Sequence, residues 1–486
     1  MKEKVKDSIS LKTEENVAYI KELLKNASDI VFREFYIGNF KAALIYVDGM
    51  GDKKLLNDYV LENVMFKGYS ITDASEIKNR ILAVTDVREI EKLSEGIDAM
   101  LSGDTIMFIE GLENCYVVAS RSWPARGVSE PSGETVIRGA RDGFTETIRF
   151  NTALIRRRVR DTRLKLVPKS LGVRSKTDSV IMFIEDIANK EVLEELFNRL
   201  ETINIDAILD SGYVEQLIED NKWSVFPQIQ STERPDVVAA ALYEGRVAIL
   251  VDNSPFALIV PATMSNLFQS PDEYYQRWIY GSGIRLIRFF SIFISLILPA
   301  LYVAVTSFHT SIIPTKLAYF IASSREGVPF PAFVEALIME GSMAFLLEAI
   351  ARLPKAIGST IGIVGGLIIG QAAVTAGIVS PIMIIIVSIT VITSFTTPNY
   401  EITSAFRILR VLLIIAAAII GLYGIMIGLI LTLIHMVRLK SFGISYLAPM
   451  NNANKNDFKD MYLRFPLRYF KNRPEYMGTE DKVRQK

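Results

Sequence analysis

The sequence holds few of the residues that build reactive or cross-linked sites. Its 486 residues include one cysteine, Cys115, and two histidines, His309 and His435. A single cysteine excludes an internal disulfide framework and fits a reducing compartment. No metal cluster, nucleophile elbow or phosphate-binding loop accompanies either histidine. The sequence therefore predicts no enzymatic activity, no catalytic residue, no metal site and no cofactor.

The sequence also lacks net charge and an apolar N-terminus. Lys plus Arg and Asp plus Glu number 54 each, so overall charge offers no argument for nucleic-acid binding. The first 24 residues are charged and amphipathic, so no secretory signal is predicted and the first half is expected on the cytoplasmic side. Charges are scattered up to about Arg277, and long apolar runs follow as far as Val437. We therefore expect a soluble domain followed by a membrane domain.

The longest stretch without Asp, Glu, Lys or Arg runs from Ala356 to Tyr400. A Ser380-Pro381 step near its middle is expected to break the helix, so this stretch can cross a membrane twice. At about 100° per residue, a stripe of small residues follows one side of the first helix. The stripe consists of Gly358, Gly362, Gly366, Gly370, Ala373 and Gly377.

Two interpretations of this helix stay open. A glycine stripe lets a neighbouring helix backbone approach closely in lipid, which favours simple packing. The alternative is that the helix lines or gates a pore. In that case we expect the glycines at helix contacts and a dry constriction formed by Ile361, Val364 and Ile368 on another face.

Four membrane crossings fit the apolar runs, at 287–308, 357–379, 381–398 and 411–437. Basic residues flanking the first and last runs favour both chain ends on the inner side, and this arrangement leaves Arg407 and Arg410 outside.

Segment 333–351 is apolar but carries Glu335, Glu340 and Glu348, and Arg352 follows Glu348 by four positions. It is predicted either as an interfacial helix or as one facing a water-filled interior, where its acids would attract cations.

The first half is predicted as an α/β domain of two related subdomains, because strand, helix and hairpin patterns recur along it. The predicted organisation is a helical extension (1–35), a first subdomain (36–121), a linker with a helical segment (122–175), a second subdomain (176–280), a transmembrane domain (281–440) and a cytoplasmic tail (441–486). The linker is expected to tie the subdomains together.

Two sets of charged residues in this half allow a functional or a structural interpretation. Acids at the ends of predicted strands either bind a ligand or serve as turn and capping residues: Asp48, Glu110, Glu185 and Asp252. Consecutive arginines in the linker either contact anionic lipid headgroups or form a solvated or locally paired helix face: Arg156, Arg157 and Arg158.

Several short motifs together resemble the A subunits of spore germinant receptors. They are Glu130-Pro131, Arg138-Gly-Ala-Arg-Asp-Gly-Phe144, Asn151 with Leu154-Ile-Arg-Arg-Arg158, Ser254-Pro-Phe-Ala-Leu-Ile-Val-Pro261, Asp272-Glu-Tyr-Tyr275, Leu353-Pro354, Pro398-Asn-Tyr-Glu401 and Ser441-Phe-Gly-Ile-Ser-Tyr-Leu-Ala-Pro449. The resemblance covers residues 28 to 455, and it departs from the family at Ala140 and Ser445, where the family often has proline.

This resemblance implies a multi-pass protein of the spore inner membrane, with its N-terminal domain on the spore core side. It implies a complex with a transporter-like B subunit, which looks like the germinant-binding component, and a lipoprotein C subunit. It further implies self-association into a nutrient-gated ion channel that starts endospore germination. Two alternatives stay open, a non-conducting scaffold that transmits a signal and a secondary transporter.

Overall fold

The computed structural model describes residues 5–67, 77, 82, 84–122, 130–131, 133–134, 136–451 and 457–485. Parts of the predicted extension, first subdomain, linker and tail lie outside these residues. Two five-stranded sheets occupy the first half of the chain, and long helices occupy residues 278–438.

The first sheet is antiparallel throughout and has the strand order β1-β2-β4-β5-β3. Its strands are β1 (Ile30–Ile37), β2 (Phe40–Val47), β3 (Val87–Ile90), β4 (Thr105–Ile109) and β5 (Cys115–Val118). One face packs against helices α1 (Thr13–Leu23) and α4 (Leu93–Leu101). The other face packs against α2 (Lys53–Leu55), a π-helical turn (Leu56–Leu61) and α3 (Glu62–Lys67).

The second sheet repeats this strand order as β6-β7-β9-β10-β8 and is also antiparallel. Its strands are β6 (Leu164–Leu171), β7 (Thr177–Ile184), β8 (Gln230–Thr232), β9 (Val247–Val251) and β10 (Ala257–Val260). One face packs against α5 (Ile148–Arg156) and α8 (Pro235–Tyr243), and the other against α6 (Lys190–Thr202) and α7 (Ser211–Ile218). The shared order confirms that the subdomains are related.

Both sheets begin earlier than the predicted bounds of 36 and 176. The first strand of the second sheet, β6, contains Pro168. A proline argues against predicting a central strand from sequence, because it cannot donate a backbone hydrogen bond. The structure tolerates this proline because β6 lies at the edge of its sheet. In the first sheet, Arg33 and Glu34 interrupt the apolar pattern of β1. The short strand β3 at the edge of this sheet is followed directly by α4.

Side-chain and backbone contacts connect the segment between the sheets to the first subdomain. Arg156 at the end of α5 is fully buried and forms two hydrogen bonds of 2.8 Å to the carboxylate of Asp29. A parallel bridge between Ala27 and Leu166 adds backbone pairing between the two subdomains. The buried Arg156 is therefore an interdomain tie, and the predicted lipid contact at this residue is wrong.

Two short helices, α9 (Met264–Phe268) and α10 (Asp272–Tyr275), lead from the second sheet into the helical region. That region contains α11 (Trp278–Ser307), α12 (Thr315–Arg325), α13 (Ala332–Arg352), α14 (Lys355–Thr375), α15 (Pro381–Ser394), α16 (Tyr400–Ile420) and α17 (Leu422–Arg438), with a 3-10 turn at Thr310–Ile312. By length and composition α11 and α16 are long and apolar enough to cross a membrane, and the apolar parts of α14, α15 and α17 are shorter.

The predicted single crossing 411–437 is wrong, because the chain reverses at Gly421 between α16 and α17. Gly421 has φ +63°, a backbone conformation that favours glycine, and an added Cβ would lie 3.0 Å from Phe308 and His309. The far ends of α16 and α11 therefore meet. Arg407 and Arg410 lie in the half of α16 nearer the sheets, which places them at the same end of the bundle as the soluble domain.

Six helices run alternately away from and towards the sheets: α11, α13, α14, α15, α16 and α17. Arg288 of α11 donates to the carbonyl of Thr396 just after α15, which places the end of α15 at the sheet end. Glu335 near the start of α13 accepts from the Ser380 amide at the start of α15, which places both starts at the far end. Segment 333–351 is therefore a member of the helix bundle.

The residues after α17 fold back over the second subdomain and are not a free tail. A two-stranded hairpin, β11 (Lys440–Ser441) and β12 (Ile444–Ser445), carries Phe442 into the core between the sheet and α6. The Phe442 amide donates to Asp220 at 2.9 Å, and the Arg199 guanidinium lies 4.3 Å from the Phe442 ring centre. Three 3-10 turns continue this wrapping, at Asp457–Asp460, Leu467–Tyr469 and Glu475–Met477.

We expect Phe442→Ala to destabilise the second subdomain by about 3–5 kcal/mol, because Phe442 is 3% exposed and its loss leaves a cavity. Phe66→Ala is the control, since Phe66 is 77% exposed in the first subdomain. Thermal unfolding of the purified protein measures both. Equal melting temperatures for the two variants would contradict a structural role for the C-terminal segment.

Candidate functional site

A charged network joins the second subdomain to the first helix of the bundle. Glu273 of α10 is 1% exposed and accepts hydrogen bonds from Arg285, at 2.5 Å, and from Arg288. Arg285 also donates to the carboxylate of Asp460 at 3.0 Å, and Arg288 to the carbonyl of Phe268 at 2.7 Å. The network therefore fixes α10, α11 and the C-terminal segment relative to one another.

Aromatic rings pack beside this network, between the second subdomain and α16. Phe226, in the loop after α7, lies 6.0 Å from Phe406 of α16 in an edge-on arrangement. Phe268 stacks on Phe406 at 6.2 Å and meets Phe289 of α11 edge-on at 5.7 Å. The subdomain and the helices thus share one packed junction, so a shift of either moves the other.

Three carboxyl groups gather at the base of α16. Glu401 accepts a hydrogen bond of 2.7 Å from Ser231 of β8, and Glu215 and Glu219 of the second subdomain interact with it electrostatically. Burial, reinforced by the Glu401 charge, raises the pKa of Glu215 to about 8 and that of Glu219 to about 7. Glu215 and Glu219 therefore take up protons near neutral pH.

Two ion pairs are buried among the helices themselves. Glu340 of α13 is 6% exposed and accepts two hydrogen bonds, of 3.0 and 3.2 Å, from Arg410 of α16. Glu335 is fully buried, pairs with Arg325 at 3.1 Å and accepts from the Ser380 amide at 2.8 Å. Ionisable residues inside an apolar helix bundle are costly, which marks them as functional candidates.

The acids of α13 therefore do not form the predicted cation-attracting vestibule. Glu335 and Glu340 are each neutralised by an arginine, and Glu348 pairs with Arg352 at 2.5 Å. The Glu348–Arg352 pair differs from the other two because its side chains are 61% and 79% exposed in the single chain. The predicted i,i+4 pair is confirmed, but the buried charges of the bundle lie elsewhere.

The glycine stripe of α14 packs mainly on α13 of the same chain. An added Cβ at Gly358 would lie 3.2 Å from the Ile350 carbonyl, and one at Gly362 would lie 3.0 Å from the Ile350 side chain. Gly366 faces Leu346, and Gly370 faces Ile384 of α15. Gly377 is not part of the helix: it lies in the turn after α14 with φ +66°.

The predicted constriction residues lie on surfaces that their own chain leaves open. Ile361, Val364 and Ile368 are 40%, 47% and 58% exposed. Their role at a pore stays a prediction, since the single chain does not show what covers them.

The acids at strand ends do not meet at one edge, because neighbouring strands in both sheets are antiparallel. Each has a structural partner instead. Asp48 pairs with Lys53, Glu110 accepts from the Thr13 amide, Glu185 pairs with Lys165, and Asp252 accepts from the Ile148 amide at the start of α5. Their turn and capping interpretation is therefore the correct one.

Arg158 is partly buried and pairs with Asp142 at 2.6 Å, so local pairing is the correct interpretation for it as well. The Cys115 thiol is fully buried in the first sheet, and burial raises its pKa to about 12. His435 contacts Ser224 through a hydrogen bond of 3.0 Å. Within the described ranges, no group of three or more His, Cys, Asp or Glu side chains is arranged to hold a metal ion.

Comparison with known proteins identifies the family. The family described as "Bacillus/Clostridium GerA spore germination protein" matches residues 18–476 of this chain. This chain belongs to the GerA spore germination protein family. It is 43% identical to spore germination protein B1 of Bacillus subtilis (strain 168), over 97% of this chain and 98% of that protein. It is also 41% identical to the uncharacterized membrane protein YfkQ of the same organism, over 96% and 91% of the two chains.

A crystal structure of the N-terminal domain of the A subunit of the Bacillus megaterium spore germinant receptor GerK3 also matches this chain. It shares 36% identity with a TM-score of 0.43, covering 54% of this chain and 99% of that one.

Sequence reasoning missed the partners that neutralise the acids of this GerA-family chain. Glu340 and Arg410 are 70 positions apart, so no local spacing connects them. One signal was available: the two residues carry opposite charges and each lies within a largely apolar helix. Charges inside a helix bundle are expected to pair with one another.

Stability of the junction is expected to fall as pH rises. The pKa of Glu215 is about 8 in the folded chain against about 4.5 when exposed, so the folded state holds more protons between these values. The stabilisation that Glu215 contributes is complete below about pH 4.5 and is lost as pH rises through about 8. Over this range the free energy of unfolding falls by at most ~1.4 kcal/mol per pH unit.

Glu215→Gln should flatten this pH dependence, and Glu194→Gln, at an exposed position of α6, should not. Melting temperatures measured from about pH 5 to about pH 9 test the expectation. A steep, unchanged decline in the Glu215→Gln variant would assign the pH dependence to other groups.

Breaking the Glu340–Arg410 pair should destabilise the bundle strongly. Arg410→Met leaves a buried carboxylate without a cation, at a cost of about 3–5 kcal/mol. Adding Glu340→Leu removes that charge and should restore most of the stability. The level of folded protein in membranes and its melting temperature in detergent are the measurements.

The exposed pair supplies the matched control, since Arg352→Met should cost less than about 1 kcal/mol. No recovery in the Glu340→Leu and Arg410→Met double variant would show that the two side chains contribute independently.

Proposed function

We propose that this chain is a membrane subunit of a nutrient germinant receptor that triggers endospore germination. Membership of the GerA family supports the germination role. The apolar helices, together with the similarity to the membrane protein YfkQ, support a membrane location. The proposed location is the spore inner membrane, with both sheets on the core side. The role is non-enzymatic and needs no cofactor.

The observation that carries the proposal is the continuous junction between the sheets and the helices. Glu273 with its two arginines, the Phe226 and Phe406 rings, and Ser231 with Glu401 connect the second subdomain to α11 and α16. A signal that moves the subdomain is therefore transmitted to the helices. In this proposal the chain converts nutrient binding elsewhere in a complex into a rearrangement of its bundle.

The partners proposed for this chain are the B-type transporter-like and C-type lipoprotein subunits of the receptor, membrane lipids, and further copies of itself. Self-association would cover the open face of α14. In the proposed channel, copies of Ile361, Val364 and Ile368 form a dry constriction that blocks ions by dewetting until the bundle rearranges.

A non-conducting scaffold is the second candidate function, and one observation favours it. Each of the three acids of α13 is paired with an arginine, which removes the charge that would attract cations to a channel mouth. Nutrient-triggered germination by a complex that passes no ions would establish the scaffold.

Ion flux through the reconstituted complex separates the two functions. In the channel, Val364→Ala should widen the constriction, make the closed state leak several-fold more, and trigger germination without nutrient. Ile385→Ala is the control, because Ile385 lies on α15 and is similarly exposed, at 58%.

Two results would contradict this assignment of faces. Val364→Ala spores that stay dormant at normal protein levels would exclude Val364 from the gate. A leak in Gly366→Ala spores under the same conditions would place the glycine face on the pore instead.

A further inference from the structure

One loop of the second subdomain presents an exposed tryptophan beside the ends of the helices. The loop consists of residues 221–225 between α7 and β8, and its Trp223 side chain is 95% exposed. Tryptophan is enriched at interfaces, where one part of the ring system is apolar and the N–H is wet. The loop is here called the Trp223 loop.

The Trp223 loop is ordered by its own hydrogen bonds. Asn221 and Gln228 bond reciprocally, with the Asn221 amide donating to the Gln228 side chain at 2.8 Å and the Asn221 carbonyl accepting from it at 2.9 Å. The Asn221 side chain accepts from the Trp223 amide at 3.1 Å, and Gln228 is fully buried. Trp223 is therefore held out from the subdomain on a fixed backbone.

Contacts made by two residues just after Trp223 fix its height along the bundle. Ser224 bonds His435 in the last turn of α17, and the Phe226 ring stacks on His435 at 6.1 Å. At the same end of the bundle, the apolar part of α11 begins at Phe289, just after the charged Arg288. From there to Ser307 that helix is about 28 Å long, close to the thickness of the hydrocarbon core. Trp223 thus lies level with the expected edge of the bilayer.

Basic residues lie in the Trp223 loop and just after its contact residue His435. Lys222, Arg438 and Lys440 are exposed, and in the described part of the chain none has an acidic partner within 4.0 Å. The nearest acids in sequence are engaged: Asp220 binds Arg199 and the Phe442 amide, and Glu219 belongs to the carboxyl group at Glu401. Tryptophan favours the membrane interface, and unpaired lysine and arginine there attract anionic headgroups.

We propose that Trp223, Lys222, Arg438 and Lys440 form a binding surface for anionic phospholipid headgroups, which seats the second subdomain on the membrane beside α17. The proposal rests on the membrane placement of the helices in the proposed function. It adds a lipid contact of the soluble domain, next to the junction that connects the subdomain to α16. Lipid charge would then influence how the subdomain sits on the bundle.

Fluorescence of full-length protein in lipid nanodiscs tests the proposal. Trp123→Phe and Trp278→Phe leave Trp223 as the single tryptophan. Lipids brominated near the top of their acyl chains should lower its emission roughly two-fold. The control also carries Trp223→Phe and Tyr36→Trp, which moves the tryptophan to an exposed position of the first sheet, and its emission should not change.

A charge arm tests the headgroup preference. The Trp223 emission should shift to shorter wavelength more in nanodiscs with phosphatidylglycerol than in those with phosphatidylcholine alone. Lys222→Gln with Arg438→Gln and Lys440→Gln should abolish that difference while membrane insertion is retained.

Three outcomes overturn the lipid contact. Trp223 emission that ignores brominated lipid yet is quenched by acrylamide as strongly as the control places the loop in water. Emission protected from both quenchers assigns the surface to a protein contact. An equal shift in both lipids excludes anionic headgroups. Resistance of the protein to extraction from membranes by carbonate is measured in parallel. Extraction of the protein would overturn the proposed membrane function as well. An inserted protein with unquenched Trp223 emission would overturn the lipid contact alone.

Discussion

The carboxylate of Glu273 is the constraint on which the arrangement of this chain depends. Arg285 and Arg288 are three positions apart on one face of α11, so both reach the same buried acid. Their remaining donors hold Asp460, the Phe268 carbonyl and the Thr396 carbonyl, which come from three other segments. Losing any charged member would leave an uncompensated buried charge. The position of the sheets relative to the bundle is therefore set by electrostatics as well as by apolar packing.

The two related subdomains carry different tasks. The first is attached through Arg156 and the Ala27–Leu166 bridge, whereas the second supplies Phe226, Ser231 and Glu273 to the helices and receives the C-terminal segment. A change in the first subdomain therefore reaches the bundle through the second. Two subdomains with the same strand order therefore have different positions in the protein. The first is attached to the second, and the second contacts the helical region.

Local pattern predicted the elements of this chain well and their long-range pairing poorly. Local patterns predicted the paired subdomains and the glycine helix α14, because each pattern depends on residues a few positions apart. They failed at β6, where Pro168 is tolerated at a sheet edge, and they did not reveal the partners of the acids on α13. A hydropathy scale counts Glu335 and Glu340 as unfavourable in an apolar helix, because it contains no information on their partners. These partners are Arg325 and, 70 positions after Glu340, Arg410. The charged part of the site required the folded chain.

Helix α16 connects the two charged groups that sequence reasoning left separate. Glu401 in its first turn binds Ser231 of the sheet, and Arg410, about 13 Å further along the axis, holds Glu340 of α13. A rigid helix transmits an axial shift along its whole length, so a displacement at Ser231 acts directly on the buried pair. A close-packed bundle does not yield continuously to such a shift but changes between discrete arrangements. Under the proposed function, the Glu340–Arg410 pair holds one arrangement of the bundle, and α16 connects that pair to the soluble domain.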